Sequence, residues 1–387
     1  MISYIKRYTK NFDFPMFIAY LFLCLFGLVM IYSASMEWAV KVYDYEPDFF
    51  YNRQRLNLLV AFPVFMLAAF IPYKHYRRKP IMALMLLVMF VLLGCVHLFG
   101  DDVNGAKSWL NLGPLRLQPS ELAKIILIIY FASVFANKRA KGNLDSLERQ
   151  ISQPIIVLVV AFFLVLFEVD MGSAAIMLFV TVSTLLASGI RFKTFAKLFG
   201  LIFGVIAILS PFLYLLRNQF ITPRRLERLE AFLHPFQYEQ DAGFQIVNGY
   251  LAIGAGGIKG LGLGQSVQKL GYLPEPQTDF IMAIIAEELG VFGTIIVIGG
   301  LGFIVLRAFT IALKTQDTQA RMIATGVGSL IGFQTFVNLG GLLGIIPLTG
   351  VPLPFISYGG TSIVLLSLAM GVLLNVSMFV KYEKTRS

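Results

Sequence analysis

A chain of 387 residues that is 57% hydrophobic and only 14% charged, with a mean hydropathy of +0.75, is not a soluble protein of two or three domains. Soluble chains carry about 25% charged residues, whereas apolar runs of about 20 residues, which recur here from Phe14 to Val380, suit a bilayer. Disordered, collagenous and disulfide-scaffold classes are excluded too, and the formal charge of +10 sits in loops, where it sets membrane topology rather than marking a nucleic-acid partner.

In chain order, the apolar runs predict helices over 14–35, 56–72, 80–99, 120–137, 153–169, 172–190, 195–216, 280–306, 322–345 and 361–380. The expected fold is an all-α polytopic membrane protein of about ten transmembrane helices. It forms one integral membrane domain over 1–387, with a large outer loop, 217–279, between the seventh and eighth helices. The first run is too long for a removed signal peptide and lacks a small-residue cleavage site, so it reads as a retained span. Cys24 and Cys95 lie inside apolar runs as small buried side chains. With a cytoplasmic N-terminus, 20 of the 32 Lys and Arg residues fall on the inner side, which predicts that both termini are cytoplasmic. Segments 100–119, 217–279 and 346–360, which hold 15 of the 34 Gly and 9 of the 16 Pro together with the paired charge, then lie on the outer face.

Ionisable residues within or at the mouth of a span are costly and mark a site by default. Glu121 and Lys124 lie one turn apart at the start of the fourth span, on a shared face. Asp170 occupies the tight connection between spans five and six. Asp279, Glu287 and Glu288 open span eight, and Arg53 and Arg55 precede span two. Each has a plain reading as an interfacial anchor or a satisfied ion pair, which a mixed-sign cluster at one face weakens. Thr278 is placed to cap span eight and Asp279 falls in its first turn, where the helix dipole favours a carboxylate of low pKa.

The outer loop holds Arg224-Arg225-Leu226-Glu227-Arg228-Leu229-Glu230, with the spacing of a solvated surface helix that is also suited to meet a pyrophosphate. Gly254 to Gly264 is glycine-rich but matches no nucleotide-loop register and follows no strand, so it reads as a place of close backbone approach. The stretch from Asn338 to Ser362 carries no charge, and its Pro and Gly residues break the helix into a re-entrant element or groove wall.

That stretch, with Asn338, Gly340, Pro347, Thr349, Gly350, Pro354, Phe355 and Ser357-Tyr358-Gly359-Gly360-Thr361-Ser362, strongly resembles the signature of the SEDS family (shape, elongation, division, sporulation). The resemblance spans almost the whole chain. It includes Met30 to Ser35, Gly105-Ala106-Lys107-Ser108-Trp109-Leu110, Gln118 to Lys124 and Leu273 to Glu288, and Gly264 to Glu275 is closer to the family's division branch. Two departures are Val169-Asp170-Met171-Gly172-Ser173, which keeps the aspartate of the usual turn but loosens it, and Gln277, where the division branch often has His.

The resemblance implies a peptidoglycan glycosyltransferase that polymerises lipid II at the outer face of the bacterial cytoplasmic membrane, at the division septum. Its ligands would be lipid II and undecaprenyl-pyrophosphate-linked glycan. Its partners would be a class B penicillin-binding protein transpeptidase and membrane proteins of the division machinery. Asp279 would be the general base, and Lys124, oriented by Glu121, would bind the leaving pyrophosphate with Arg53 and Arg224 or Arg225. Asp170 would hold Lys124, and Lys107, Trp109, Thr349, Ser357 and Tyr358 would be further substrate-binding positions. A divalent cation, Mg or Mn, is chemically plausible at the pyrophosphate without a motif that shows it. The alternatives are a lipid II flippase and a non-catalytic scaffold. A flippase predicts ionisable groups near the bilayer midplane, which spans one to three, seven, nine and ten essentially lack.

Overall fold

The computed structural model describes residues 10–103, 106–113, 115–142, 152–168, 170–191, 193–197, 200, 204, 223–240 and 243–384. Helix α1 (Phe14–Tyr43) is followed by α2 (Phe49–Phe70), a 3-10 turn (Tyr73–Arg77) and α3 (Lys79–Phe99). After a small sheet come α4 (Pro119–Ala140), α5 (Ser152–Phe167) and α6 (Met171–Leu186). Beyond them lie α7 (Pro223–Leu233), α8 (Phe244–Gly256), α9 (Ile281–Lys314), α10 (Thr318–Leu342) and α11 (Ser362–Lys384). Among the described residues, seven helices are long and apolar enough to cross a membrane, and two shorter apolar helices coincide with expected spans five and six. The expected span 195–216 lies largely outside the described residues.

The bundle is built around α4 and α11, whose apolar windows are 89% buried, whereas α3, at 17%, turns Leu84, Leu87 and Leu98 outward as a lipid-facing helix would. Close crossings depend on small residues. A Cβ on Gly371 of α11 would land on the Phe65 carbonyl of α2, and one on Gly27 of α1 would come within 2.7 Å of the Phe355 carbonyl oxygen. Hydroxyls inside the helices are satisfied by back-bonding to the preceding turn, as in Thr181 to the Met177 carbonyl (2.8 Å) and Thr335 to that of Ile331 (2.7 Å).

One end of the bundle is fastened by ion pairs. Buried Asp13 accepts both arms of Arg307 at 3.0–3.1 Å and the Ser377 hydroxyl at 2.6 Å, and Arg77 reaches Asp317 at 2.6 Å.

The helical expectation stands, with one addition at the opposite end. Strands β1 (Asp101–Val103), β2 (Ala106–Leu112) and β3 (Leu115–Leu117) form an antiparallel sheet in the order β1-β2-β3. Strand alternation explains it: Ser108 and Leu110 face inward while Lys107 and Asn111 face out. The sheet is too short to stand out beside twenty-residue apolar runs.

Helix α9 is broken at Gly290, whose φ of 62° and ψ of −150° are non-helical. The carbonyls of Glu287 and Glu288, freed by the break, accept from Leu261 and Gly262 at 2.9 Å, and Val291 N–H donates to the Ile258 carbonyl at 3.2 Å. The glycine-rich loop thus meets α9 backbone to backbone, and a Cβ on Gly256, Gly260 or Gly290 would fall on a main-chain oxygen of the other segment. Gly290→Ala should therefore lower stability by about 2 kcal/mol or more. Gly299→Ala, whose added methyl meets nothing within 4 Å, should leave it unchanged or slightly higher. Thermal unfolding of the two variants in the same detergent checks the contrast; equal melting would show that the break is not required.

Candidate active site

The segment that leads into α9 carries Asp279, with Phe280 as the helix N-cap. Asp279 therefore precedes the first turn instead of lying in it, and the dipole argument for a low pKa is corrected. Part of the residue's surface is open, but the carboxyl sits deep among protein atoms, and burial pushes its pKa above the ordinary aspartate value. The Thr278 hydroxyl, at 3.1 Å from Oδ1, and Arg228 of α7 oppose that rise, and the charge of Glu275 adds to it.

Two elements hold this segment. Asn338 of α10 donates to the Asp279 carbonyl at 2.8 Å and to the Val351 carbonyl at 2.9 Å, joining it to the charge-free stretch after α10. Tyr358 N–H donates to the Gln277 carbonyl at 2.8 Å. Ser357 is buried and its hydroxyl accepts from Leu353 N–H at 2.8 Å, so it closes a turn. Tyr358 packs edge-on against Phe50 at 5.1 Å, and burial raises its pKa against the opposing charge and hydrogen bond of Arg53 and the charge of Arg116. Arg53 is exposed and lies 4.6 Å over the Phe49 ring. Thr349 sits against Gly172, where an added Cβ would come within 3.1 Å of its own.

One turn before Asn338, Gln334 donates to Glu121 Oε2 at 3.1 Å, and Glu121 Oε1 accepts from Lys124 Nζ at 2.6 Å. The same face of α10 therefore supports both the Glu121–Lys124 pair and Asp279. The lysine is enclosed, with its side chain 0% exposed.

Asp170 differs from expectation. Its carboxylate caps α6 through Ser173 N–H (2.9 Å) and accepts from Gln118 (2.7 Å) and Ser120 (3.5 Å), so it ties α6 to the start of α4 instead of holding Lys124. A carboxylate at a helix N-terminus satisfies orphan amides, which a lysine already paired to Glu121 does not supply. Beside it, fully buried Glu168 has no hydrogen-bond partner among the described residues for either carboxyl oxygen.

Lys107 is exposed on β2, and half-buried Trp109 pairs with Asp101. Ser108 between them reaches the Glu168 carbonyl at 3.4 Å. Arg224 and Arg225 lie in α7, but their side chains are outside the described residues. Arg228, one turn further, is the α7 cation whose charge acts on Asp279.

The partners of Glu287 and Glu288 went unread in the sequence. Lys269 donates to Glu288 at 2.8 Å and to Ser33 at 3.2 Å, Ser33 donates to Glu288 at 2.7 Å, and Glu287 accepts from Ser266 and from Val267 N–H. This buried network pins the outer loop to α1 and α9. Separations of 236 and 255 residues leave no local signal for it.

A polytopic membrane protein in which carboxylates and cations converge where the helices are interrupted is the class that these features define. The chain matches the FtsW, RodA and SpoVE family of cell cycle proteins over residues 14–382 and belongs to that family. It is 43% identical to the probable peptidoglycan glycosyltransferase FtsW of Bacillus subtilis (strain 168), over 99% of this chain and 94% of that protein. Stage V sporulation protein E of the same organism is 35% identical over 96% of this chain and 98% of its own length. Two solved structures share the fold at 24% identity. One, described as a peptidoglycan synthase complex that coordinates polymerization and crosslinking, has a TM-score of 0.72, covering 95% of this chain and 98% of the matched one. The other, the rod shape determining protein RodA of Thermus thermophilus, has a TM-score of 0.63 over 95% and 96%.

Proposed function

We propose that the protein is a peptidoglycan glycosyltransferase that polymerises lipid II into glycan strands at the outer face of the bacterial cytoplasmic membrane during cell division. The observation that carries this reading is the half-open Asp279, fixed by Asn338 and Thr278 and faced by Arg228, in a chain 43% identical over almost its full length to a named FtsW. The reaction is an inverting transfer. The 4-hydroxyl of the acceptor's GlcNAc attacks C1 of the MurNAc at the reducing end of the growing chain. Asp279 removes the hydroxyl proton, and undecaprenyl pyrophosphate leaves from the opposite side. A base with a raised pKa is better matched to that proton than an ordinary aspartate. Exposed Arg53 and Arg228 face the departing pyrophosphate, while the enclosed Glu121–Lys124 pair supports the α10 face behind Asp279.

In this reading about ten helices cross the membrane, both termini are cytoplasmic and 1–387 is one domain. The protein works at the septum with a class B penicillin-binding protein transpeptidase and other division-site membrane proteins. Among the described residues no three His, Cys, Asp or Glu side chains converge, so a divalent cation would be held by one or two carboxylates together with the pyrophosphate itself.

The test is synthesis of glycan from purified lipid II by the full-length protein in lipid, with and without the transpeptidase and with and without Mg or Mn. Long glycan is expected in at least the combination holding both. No glycan in any combination, together with translocation of lipid II across vesicles, would overturn the polymerase in favour of a flippase.

A further inference from the structure

Among the described residues three that are not glycine have a left-handed backbone: Asp44, Glu275 and Phe355. Glu275, at φ 43°, lies four residues before Asp279. A glutamate in this conformation is strained and stays there only where its surroundings hold it. Its carbonyl accepts the Thr278 N–H at 3.0 Å and the Thr278 hydroxyl at 2.7 Å, and its carboxylate lies 3.4 Å from the Tyr43 hydroxyl at the end of α1. The same Thr278 hydroxyl is 3.1 Å from Asp279 Oδ1. One hydroxyl proton thus faces two acceptors, the Glu275 carbonyl and the Asp279 carboxylate.

We propose that Glu275 and Thr278 form a positioning turn for Asp279, in which the Thr278 hydroxyl donates to the carboxylate while Asp279 is ionised and turns to the Glu275 carbonyl once Asp279 holds a proton. The inference rests on the reading of Asp279 as the base. When Asp279 takes the acceptor's proton, its new O–H donates to Thr278 Oγ1, whose own proton rotates to the Glu275 carbonyl oxygen. No covalent bond of Thr278 breaks, and the single proton gained stays on Asp279 until it leaves for solvent. Glu275 has a second effect through its charge, which opposes ionisation of Asp279. Arg228 of α7 opposes that effect, the Asn338 amide of α10 holds the Asp279 carbonyl, and Tyr358, flanked by Arg53 and Arg116, holds that of Gln277.

Two neighbours on one turn therefore act on Asp279 with opposite signs, which a purely structural role does not produce. Difference infrared spectroscopy of the full-length protein in lipid nanodiscs, with Asp279→Asn as the blank, reads the carboxyl directly. The pH–rate profile of polymerisation from lipid II is recorded on the same variants. Thr278→Val should move the Asp279 midpoint and the acidic limb up by about one pH unit, and Glu275→Gln should move both down by about half a unit. Thr278→Ser should return to within about 0.3 of wild type, and kcat, more than KM, should fall about ten-fold in the valine variant. If the valine variant does not insert, the sign of the Glu275→Gln shift decides alone. Shifts of one sign in both variants, or a serine variant that behaves as the valine one, overturn the turn. Midpoints that move as stated beside an unmoved pH–rate profile keep the turn and overturn the base.

Discussion

Asp279→Asn is expected to end glycan synthesis while leaving a folded, inserted protein. The amide keeps the size of the carboxyl and the main-chain bond to Asn338, so the segment stays in place. What disappears is the ability to accept a proton, a contribution of about 10²–10⁴ in rate for a positioned base. The wild type should show an acidic limb above the ordinary aspartate range, because burial favours the protonated carboxyl and the base is lost as pH falls through its raised pKa. Stability follows the same linkage. A carboxyl whose folded pKa is raised binds more protons folded than unfolded, so lowering the pH from neutral towards its unfolded value stabilises the wild type more than the asparagine variant. Polymerisation rates and melting curves across pH measure both, and a variant that retains activity within ten-fold of wild type would remove Asp279 from the chemistry.

The second large effect belongs to Lys124. A lysine with a fully enclosed side chain, 2.6 Å from Glu121, is half of a buried ion pair, and Lys124→Met strands the carboxylate with only Gln334 for company. Breaking such a pair costs about 3–5 kcal/mol, so the single variant should melt far lower and accumulate poorly in the membrane. Lys124→Met combined with Glu121→Gln removes both charges and should recover most of that stability. Activity is the separate readout: a double variant that is stable but slow assigns the pair a part in the reaction, and one that is stable and fast makes it a packing element. Melting of Lys124→Met at the wild-type temperature would contradict the buried pair itself.

The helices were legible because twenty apolar residues in a row have few other uses, and nine of the ten expected spans coincide with described helices. Their ends were less so. Helix α1 runs to Tyr43 through Glu37 and Lys41, residues that hydropathy counts against a span but that pair on the helix surface at 3.3 Å. Asp279, Glu121 and Lys124 were visible as charges placed where charge is costly. Gln334 looks like an ordinary polar interruption of an apolar run until the fold brings Glu121 to it, and Asn338, visible as the start of the signature stretch, shows what it holds only once the fold brings Asp279 to it. Asp170 was expected to hold Lys124, but its carboxylate takes the Ser173 amide at the start of α6 and the Gln118 side chain, a partner 52 residues away that nothing local in the sequence announces.

The break at Gly290 also bears on how the chain is made. Residues 281–288 are buried all round, including two adjacent glutamates, and outward-facing apolar side chains begin only at Val291. A charged residue at the centre of a lipid-exposed helix costs about 3 kcal/mol, so the first two turns of α9 are poor material for the translocon to release into lipid. The part beyond the glycine, 291–314, is long enough to be released alone. The expected order of insertion is therefore the apolar stem first and the glutamate-bearing collar afterwards, once Lys269 and the loop amides are in place to receive it. A chain stalled between those stages would be inserted but catalytically unassembled, and therefore exposed to membrane quality control before it could make any cell wall.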